Sequence, residues 1–291
     1  MFAIVDDERL NRVGVDFSAH LHVATVEERR LNYLDYGSGP VILLIHGIGC
    51  SWEYWSLNIP SLADQHRVIA VDLPGFGSSE PLAPGADLTD SADVVVKLLD
   101  QLEIEQAVVV GHSLGGLVAW LLTARHPQRV SALVLVCAAT VTLSRRQLNA
   151  IVRSFTVMGR LLGAPGVGRA VVRRPRLRWL VLRGLVRRPA TLEPSLAAKL
   201  VAAQVAPPGF NEALRAGPAA LAHVDAAALA QPTLLIWGEK DPFFPLVAAR
   251  ELAAAMPHAE LINFPGVGHC PQLERPAEFN AALLAFLGQA R

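Results

Sequence analysis

The chain is predicted to fold as an α/β protein, a mostly parallel sheet with helices packed on both faces. Two observations carry that prediction. Short apolar, β-branched runs alternate along the chain with longer segments of helical spacing. One such run, Val108-Val109-Val110, breaks at once into Gly111-His112-Ser113-Leu114-Gly115-Gly116, then an apolar helical stretch that ends near His126-Pro127. With 291 residues, 52% of them hydrophobic and 18% charged, the chain can bury one large core and carry an insertion.

Taken in order, Leu31 to Tyr36 reads as a strand, Gly37-Ser38-Gly39-Pro40 as a turn, and Val41 to Ile45 as a buried strand. His46-Gly47-Ile48-Gly49 follows directly. Arg67 to Val71 is a short strand leading into Asp72-Leu73-Pro74-Gly75-Phe76-Gly77-Ser78-Ser79. Asp90 to Leu102 has helical spacing, with Ala92, Val95, Val96 and Leu99 on one face. Ala107 to Val110, Val130 to Val136, Pro232 to Trp237 and Glu260 to Phe264 read as strands. Leu246 to Met256 and Pro276 to Leu287 read as helices. There is no internal repeat.

One segment breaks the alternation. From about Thr140 to Asp225 no strand is evident, and Ala, Leu, Arg and Pro dominate. It lies between two sheet strands, so it reads as an inserted helical cap, residues 140–225, dividing a core made of residues 1–139 and 226–291. Pro175 and Pro189 bracket a helix, since proline is allowed at a helix start and excluded from its interior.

Glycine, any residue, serine, any residue, glycine between a strand and a helix forces a sharp turn and leaves the serine at a helix N-terminus. Free N–H groups and the helix dipole there favour developing negative charge. On these residues the chain resembles the α/β-hydrolase family over nearly its whole length. The motifs that carry the resemblance are His46-Gly47-Ile48-Gly49, Asp72 to Gly77, Gly111 to Gly115, Gly238-Glu239-Lys240-Asp241-Pro242 and Gly266-Val267-Gly268-His269, in the family's order and at strand ends. The resemblance implies an eight-stranded, mostly parallel sheet with the cap inserted after the sixth strand.

A serine hydroxyl is a poor nucleophile until a base takes its proton. His269, in a glycine-flanked loop after a strand, is the candidate base. Asp241, after Leu234 to Trp237, would fix its tautomer and stabilise the imidazolium. The chain order Ser113, Asp241, His269 is the one expected for this fold. The oxyanion needs two preorganised donors. The backbone N–H of Leu114 is one, and the resemblance points to that of Ile48 as the other. His46, His112, Trp52, Trp55, Cys50 and Cys270 are expected to pack, and Asp72 to hold its own turn.

These residues predict a serine hydrolase of the carboxylesterase type, acting on a small acyl ester without metal or organic cofactor. Two other activities would use the same triad: carbon–carbon bond hydrolysis of meta-cleavage products, and cofactor-free perhydrolysis. A ligand-binding relative without catalysis is the reading from another class. As the resemblance has it, meta-cleavage product hydrolases carry tryptophan after the catalytic histidine and a Gly-Pro-Gly oxyanion loop. This chain has Cys270 and Cys50-Ser51 there.

Zero formal net charge argues against nucleic-acid binding. Three cysteines without a C-x-x-C pair suggest neither a disulfide framework nor a zinc site. With no signal-like N-terminus and no apolar run of membrane length, a cytoplasmic protein is expected. The zero hides an asymmetry, because residues 140–225 hold 14 Lys and Arg against 3 Asp and Glu. On a helix from Arg176 to Arg188, Arg176, Arg183 and Arg187 would form one stripe, beside an apolar face of Leu177, Leu180, Val181 and Leu185. Such a cap would solvate itself, pair with the acidic body, or meet an anionic lipid surface or acyl carrier.

Overall fold

A computed structural model describes residues 15–140, 144–187, 189, 192–203 and 225–289. Eight strands form one sheet: β1 (Leu21–Val26), β2 (Arg29–Gly37), β3 (Val41–Ile45), β4 (Arg67–Val71), β5 (Ala107–His112), β6 (Val130–Val136), β7 (Thr233–Gly238) and β8 (Ala259–Phe264). Their order is β1-β2-β4-β3-β5-β6-β7-β8. β2 runs antiparallel to β1 and β4, and every other pairing is parallel.

The apolar runs are continuous because both sheet faces are covered, and alternate residues serve opposite layers. From β3, Leu43 and Ile45 pack with α2 (Leu88–Gln101), α3 (Leu114–Arg125) and α8 (Leu246–Ala255). Ile42 and Leu44 pack on the other face with Trp55, with α1 (Ile59–Leu62) and with α9 (Pro276–Gln289). α2 starts two residues before its apolar spacing suggests, because Asp87 and Asp90 form a reciprocal capping box. β1 is absent from the sequence reading. It is an edge strand whose only buried residue is Val26, so it carries no clean apolar alternation.

Between β6 and β7 the described residues form α4 (Arg145–Gly163), α5 (Val167–Arg173), α6 (Pro175–Leu182) and α7 (Pro194–Ala203), and no strand. Residues 204–224 of the expected cap lie outside the described residues. The helix expected from Arg176 to Arg188 ends at Leu182. Arg183-Gly184-Leu185 turns, with Leu185 and Val186 both donating to the Leu182 carbonyl. Arg187 therefore leaves the helical stripe. Leu177, Val181 and Leu185 pack on the buried cluster of these helices, whereas Leu180 is 57% exposed. That cluster continues into Cys50, Tyr54, Cys270 and Leu273, so the β6–β7 helices sit on the loops after β3 and β8. No described helix is long and apolar enough to cross a membrane.

Candidate active site

Parallel strands bring their C-terminal ends to one edge, where sites of open α/β sheets form. Register does this locally: Ile45 pairs with Gly111, Gly111 with Leu135, and Leu135 with Leu235. The loops that begin at His46, Ser113, Cys137 and Glu239 thus share an edge with the one after β8.

Ser113 occupies φ 54°, ψ −117°, a region that disfavours any residue with a Cβ. Such strain is of order 1–3 kcal/mol and persists only where the surroundings overdetermine it. Here the Ser113 N–H donates to the Val136 carbonyl at 3.0 Å, and its own carbonyl accepts from Gly116 and Ala139. The elbow needs bare glycine. A Cβ at Gly111 would lie 2.3 Å from the Gly115 carbonyl oxygen, and one at Gly115 would lie 2.3 Å from that of His46. α3, beginning at Leu114, is buried along nearly all its length, which fixes the elbow from behind.

Asp241 and His269 form a buried pair. Nδ1 of the imidazole donates to Asp241 Oδ2 at 2.8 Å, and the two side chains are 3% and 0% exposed. Asp241 Oδ1 accepts the Phe243 and Phe244 N–H groups at 2.8 and 3.1 Å, so the carboxylate cannot swing. Phe243 and Phe244 also wall the imidazole, with ring centres 4.9 and 5.7 Å away. With the Nδ1 proton committed to Asp241, Nε2 carries the lone pair. No hydrogen bond joins Ser113 Oγ to His269 among the described residues. Such bonds often tighten only when substrate binds.

The neighbouring histidines are structural. His112 Nε2 donates to the His269 carbonyl at 2.9 Å, with its ring against Tyr54, and so ties the serine elbow to the histidine loop. His46 Nε2 accepts the Leu73 N–H at 3.0 Å. Burial pushes both imidazoles below the ordinary histidine range, and His269 adds to the effect at His112. Asp72 holds its turn through Ser78 N–H at 2.9 Å, as expected, and also takes Trp52 N–H at 2.7 Å and Asn32 Nδ2 at 2.8 Å. Trp52 and Trp55 are buried packing residues.

The Ile48 and Leu114 N–H groups, the two expected oxyanion donors, are taken by no other group among the described residues. Cys50 braces the first of these loops, with its N–H on the Gly47 carbonyl and its thiol on the Ile48 carbonyl.

Two features of the site escaped the sequence. The His269 N–H donates to the Leu185 carbonyl at 3.0 Å, so a β6–β7 residue holds the loop that carries the candidate base. Glu274 spans the same seam, with Oε1 accepting Gly268 N–H at 2.8 Å and Oε2 accepting Arg187 N–H at 2.9 Å. None of these bonds has a sequence signature, because each runs to or from a backbone group that any residue supplies.

One cluster of metal-ligating types occurs among the described residues, Cys137 with Asp241 and His269. Its imidazole and carboxylate use their facing atoms on each other. Burial and the Asp241 charge push the Cys137 thiol well above the ordinary cysteine range. The cluster is a hydrogen-bonded acid–base pair with a packed thiol beside it.

A strained serine at a strand–helix elbow, with a buried Asp–His pair on the same sheet edge, defines a hydrolase-type site. The family model described as alpha/beta hydrolase fold matches residues 40–276, and the chain belongs to that family. It is 36% identical over 279 residues to 2-hydroxymuconate semialdehyde hydrolase of Pseudomonas sp. strain CF600, covering 90% of this chain and 91% of that one. Among solved structures it is similar to a meta-cleavage product hydrolase from Pseudomonas fluorescens IP01. That match has 28% identity and a TM-score of 0.75, covering 93% of this chain and 98% of that one. A bacterial membrane phospholipase A is similar at 28% identity and TM-score 0.75, covering 94% and 87%.

Proposed function

We propose that the chain is a serine hydrolase of carboxylic esters, with residues 140–225 as its cap. The observation that carries this reading is the 2.8 Å Asp241–His269 pair, buried on the sheet edge where Ser113 is held at φ 54°. Ser113 Oγ attacks the ester carbonyl as its proton passes to His269 Nε2. Asp241 stabilises the imidazolium. The carbonyl oxygen, now anionic, receives hydrogen bonds from the Ile48 and Leu114 N–H groups. Collapse of the tetrahedral adduct expels the alcohol, which takes the proton from His269. Water then attacks the acyl-serine with His269 again as base, releasing the acid and restoring the hydroxyl.

The test is a fluorophosphonate probe together with a series of p-nitrophenyl esters of increasing acyl length. Wild type should be labelled at Ser113 and turn over the short esters. Ser113→Ala should lose both and keep its unfolding midpoint, since only a hydroxyl is removed. Ester turnover by Ser113→Ala would refute the serine mechanism, and an unlabelled wild type would favour a non-catalytic relative.

Carbon–carbon bond hydrolysis is the second reading, favoured by the 36% identity to the semialdehyde hydrolase. Against it stand Cys270 and Cys50-Ser51, both cysteines buried in one cluster, at the two places where that class departs. Faster cleavage of a 2-hydroxy-6-oxo-dienoate than of any ester would establish it.

A further inference from the structure

We infer that the cap docks on an anionic lipid surface through the outward sides of α4 and α6. From Gln106 to Leu192 the sequence contains no Asp or Glu, and 12 arginines fall between Thr140 and Arg188. On α4, Arg153, Val157, Arg160 and Leu161 are exposed at spacings that put them on one side of the helix. On α6 and its C-cap, Arg176, Trp179, Leu180 and Arg183 do the same, with the Arg183 guanidinium 4.9 Å from the Trp179 ring centre. Leu161 is 56% exposed, Leu180 57% and Trp179 42%. Five of the eight large apolar side chains exposed among the described residues lie between Val157 and Leu180.

Apolar side chains exposed next to one another, as Val157 is to Leu161 and Trp179 to Leu180, mark an interaction surface. Arg153, Arg160, Arg176 and Arg183 make no ion pair among the described residues, and no carboxylate lies nearby in sequence to neutralise them. A second copy is a poor partner, because two such faces would set arginine against arginine. Leucine and tryptophan interleaved with arginine is the composition of helices that lie in the headgroup boundary, with apolar groups inserted and cations on lipid phosphates. The location has a consequence for catalysis, because the chain leaves α6 at Arg183 and two residues later presents the Leu185 carbonyl that holds His269.

The proposal does not depend on the reaction, and is tested on the full chain carrying Ser113→Ala so that vesicles are not consumed. Of the five tryptophans only Trp179 is exposed, so a shift of emission on binding reports this face. Vesicles of phosphatidylcholine with about a quarter phosphatidylglycerol should shift Trp179 emission to the blue and sediment the protein, and pure phosphatidylcholine should do so far more weakly. Each arginine near such a surface is worth about fivefold, so Arg176→Gln with Arg183→Gln should lower partitioning roughly 25-fold. Raising salt from 0.01 to about 0.15 M should lower it too. Leu161→Ser with Leu180→Ser should abolish insertion, while the same pair in the Ser113 background leaves short-ester turnover unchanged. Equal partitioning on neutral and anionic vesicles would overturn the proposal. So would no binding at low salt, binding to a soluble acidic carrier protein in place of vesicles, or a solution dimer lost with Leu180→Ser.

Discussion

Replacing Glu274 with alanine removes the acceptor of two backbone N–H groups at once, Gly268 at 2.8 Å and Arg187 at 2.9 Å. A hydrogen bond to an ionised group contributes about 1.5–3 kcal/mol. Arg187 is exposed, and its N–H can turn to water, so the Gly268 bond carries most of the effect. About 2 kcal/mol therefore stops favouring the bonded position of the loop that presents His269. If that loop must be so placed for proton transfer, kcat falls by up to about 30-fold. Global stability should change little. Burial pushes the Glu274 carboxyl above the ordinary glutamate range, so holding it ionised already costs stability that offsets the bonds it accepts.

The same shift fixes a sign. A carboxyl raised in the folded state contributes stability below the ordinary glutamate range and loses it as pH rises through the raised value. The unfolding free energy of wild type minus that of Glu274→Gln should therefore fall as pH rises across that window. The assays are steady-state hydrolysis of a p-nitrophenyl ester and chemical denaturation at several pH values. A kcat within about twofold of wild type would refute the positioning role. A drop in kcat that simply follows a large loss of folded protein would reduce Glu274 to a structural residue.

Two further outcomes follow from the buried groups. Because burial pushes His46 and His112 below the ordinary histidine range, neither should add a protonation to the acid limb of log kcat/KM, which should fall with a slope no steeper than one; a slope of two would bring in one of these buried histidines. Cys50, Cys137 and Cys270 are buried thiols, with burial pushing Cys50 up to about 12 and the others well up, so iodoacetamide near pH 8 should leave activity intact and a disulfide reagent should titrate three thiols only after denaturation.

How far the sequence shows this protein depends on whether an interaction leaves a pattern along the chain. Strands covered on both faces are apolar throughout, which is why Val41–Ile45, Arg67–Val71 and Val130–Val136 occur where their runs place them. The elbow at Ser113 is legible for a steric reason, since glycine is the only residue that fits at 111 and 115. β1 fails the same criterion, being an edge with one buried side chain. α6 runs short of its helical spacing because the chain turns after Leu182 toward the His269 loop, which binds its Leu185 carbonyl. Asp241 and His269 follow strands in glycine-marked loops, and both are on the expected edge. Glu274 and Leu185 hold the same histidine just as directly, yet both act through backbone partners, which any sequence supplies. The acid–base pair is therefore written in residue types. Its alignment is set by a seam between the β6–β7 helices and the loop after β8, and the charged, apolar outer face of those helices begins two residues from that seam. Whatever seats that face is thus placed to bear on His269, and comparing kcat on a dispersed short ester with and without anionic vesicles measures whether it does.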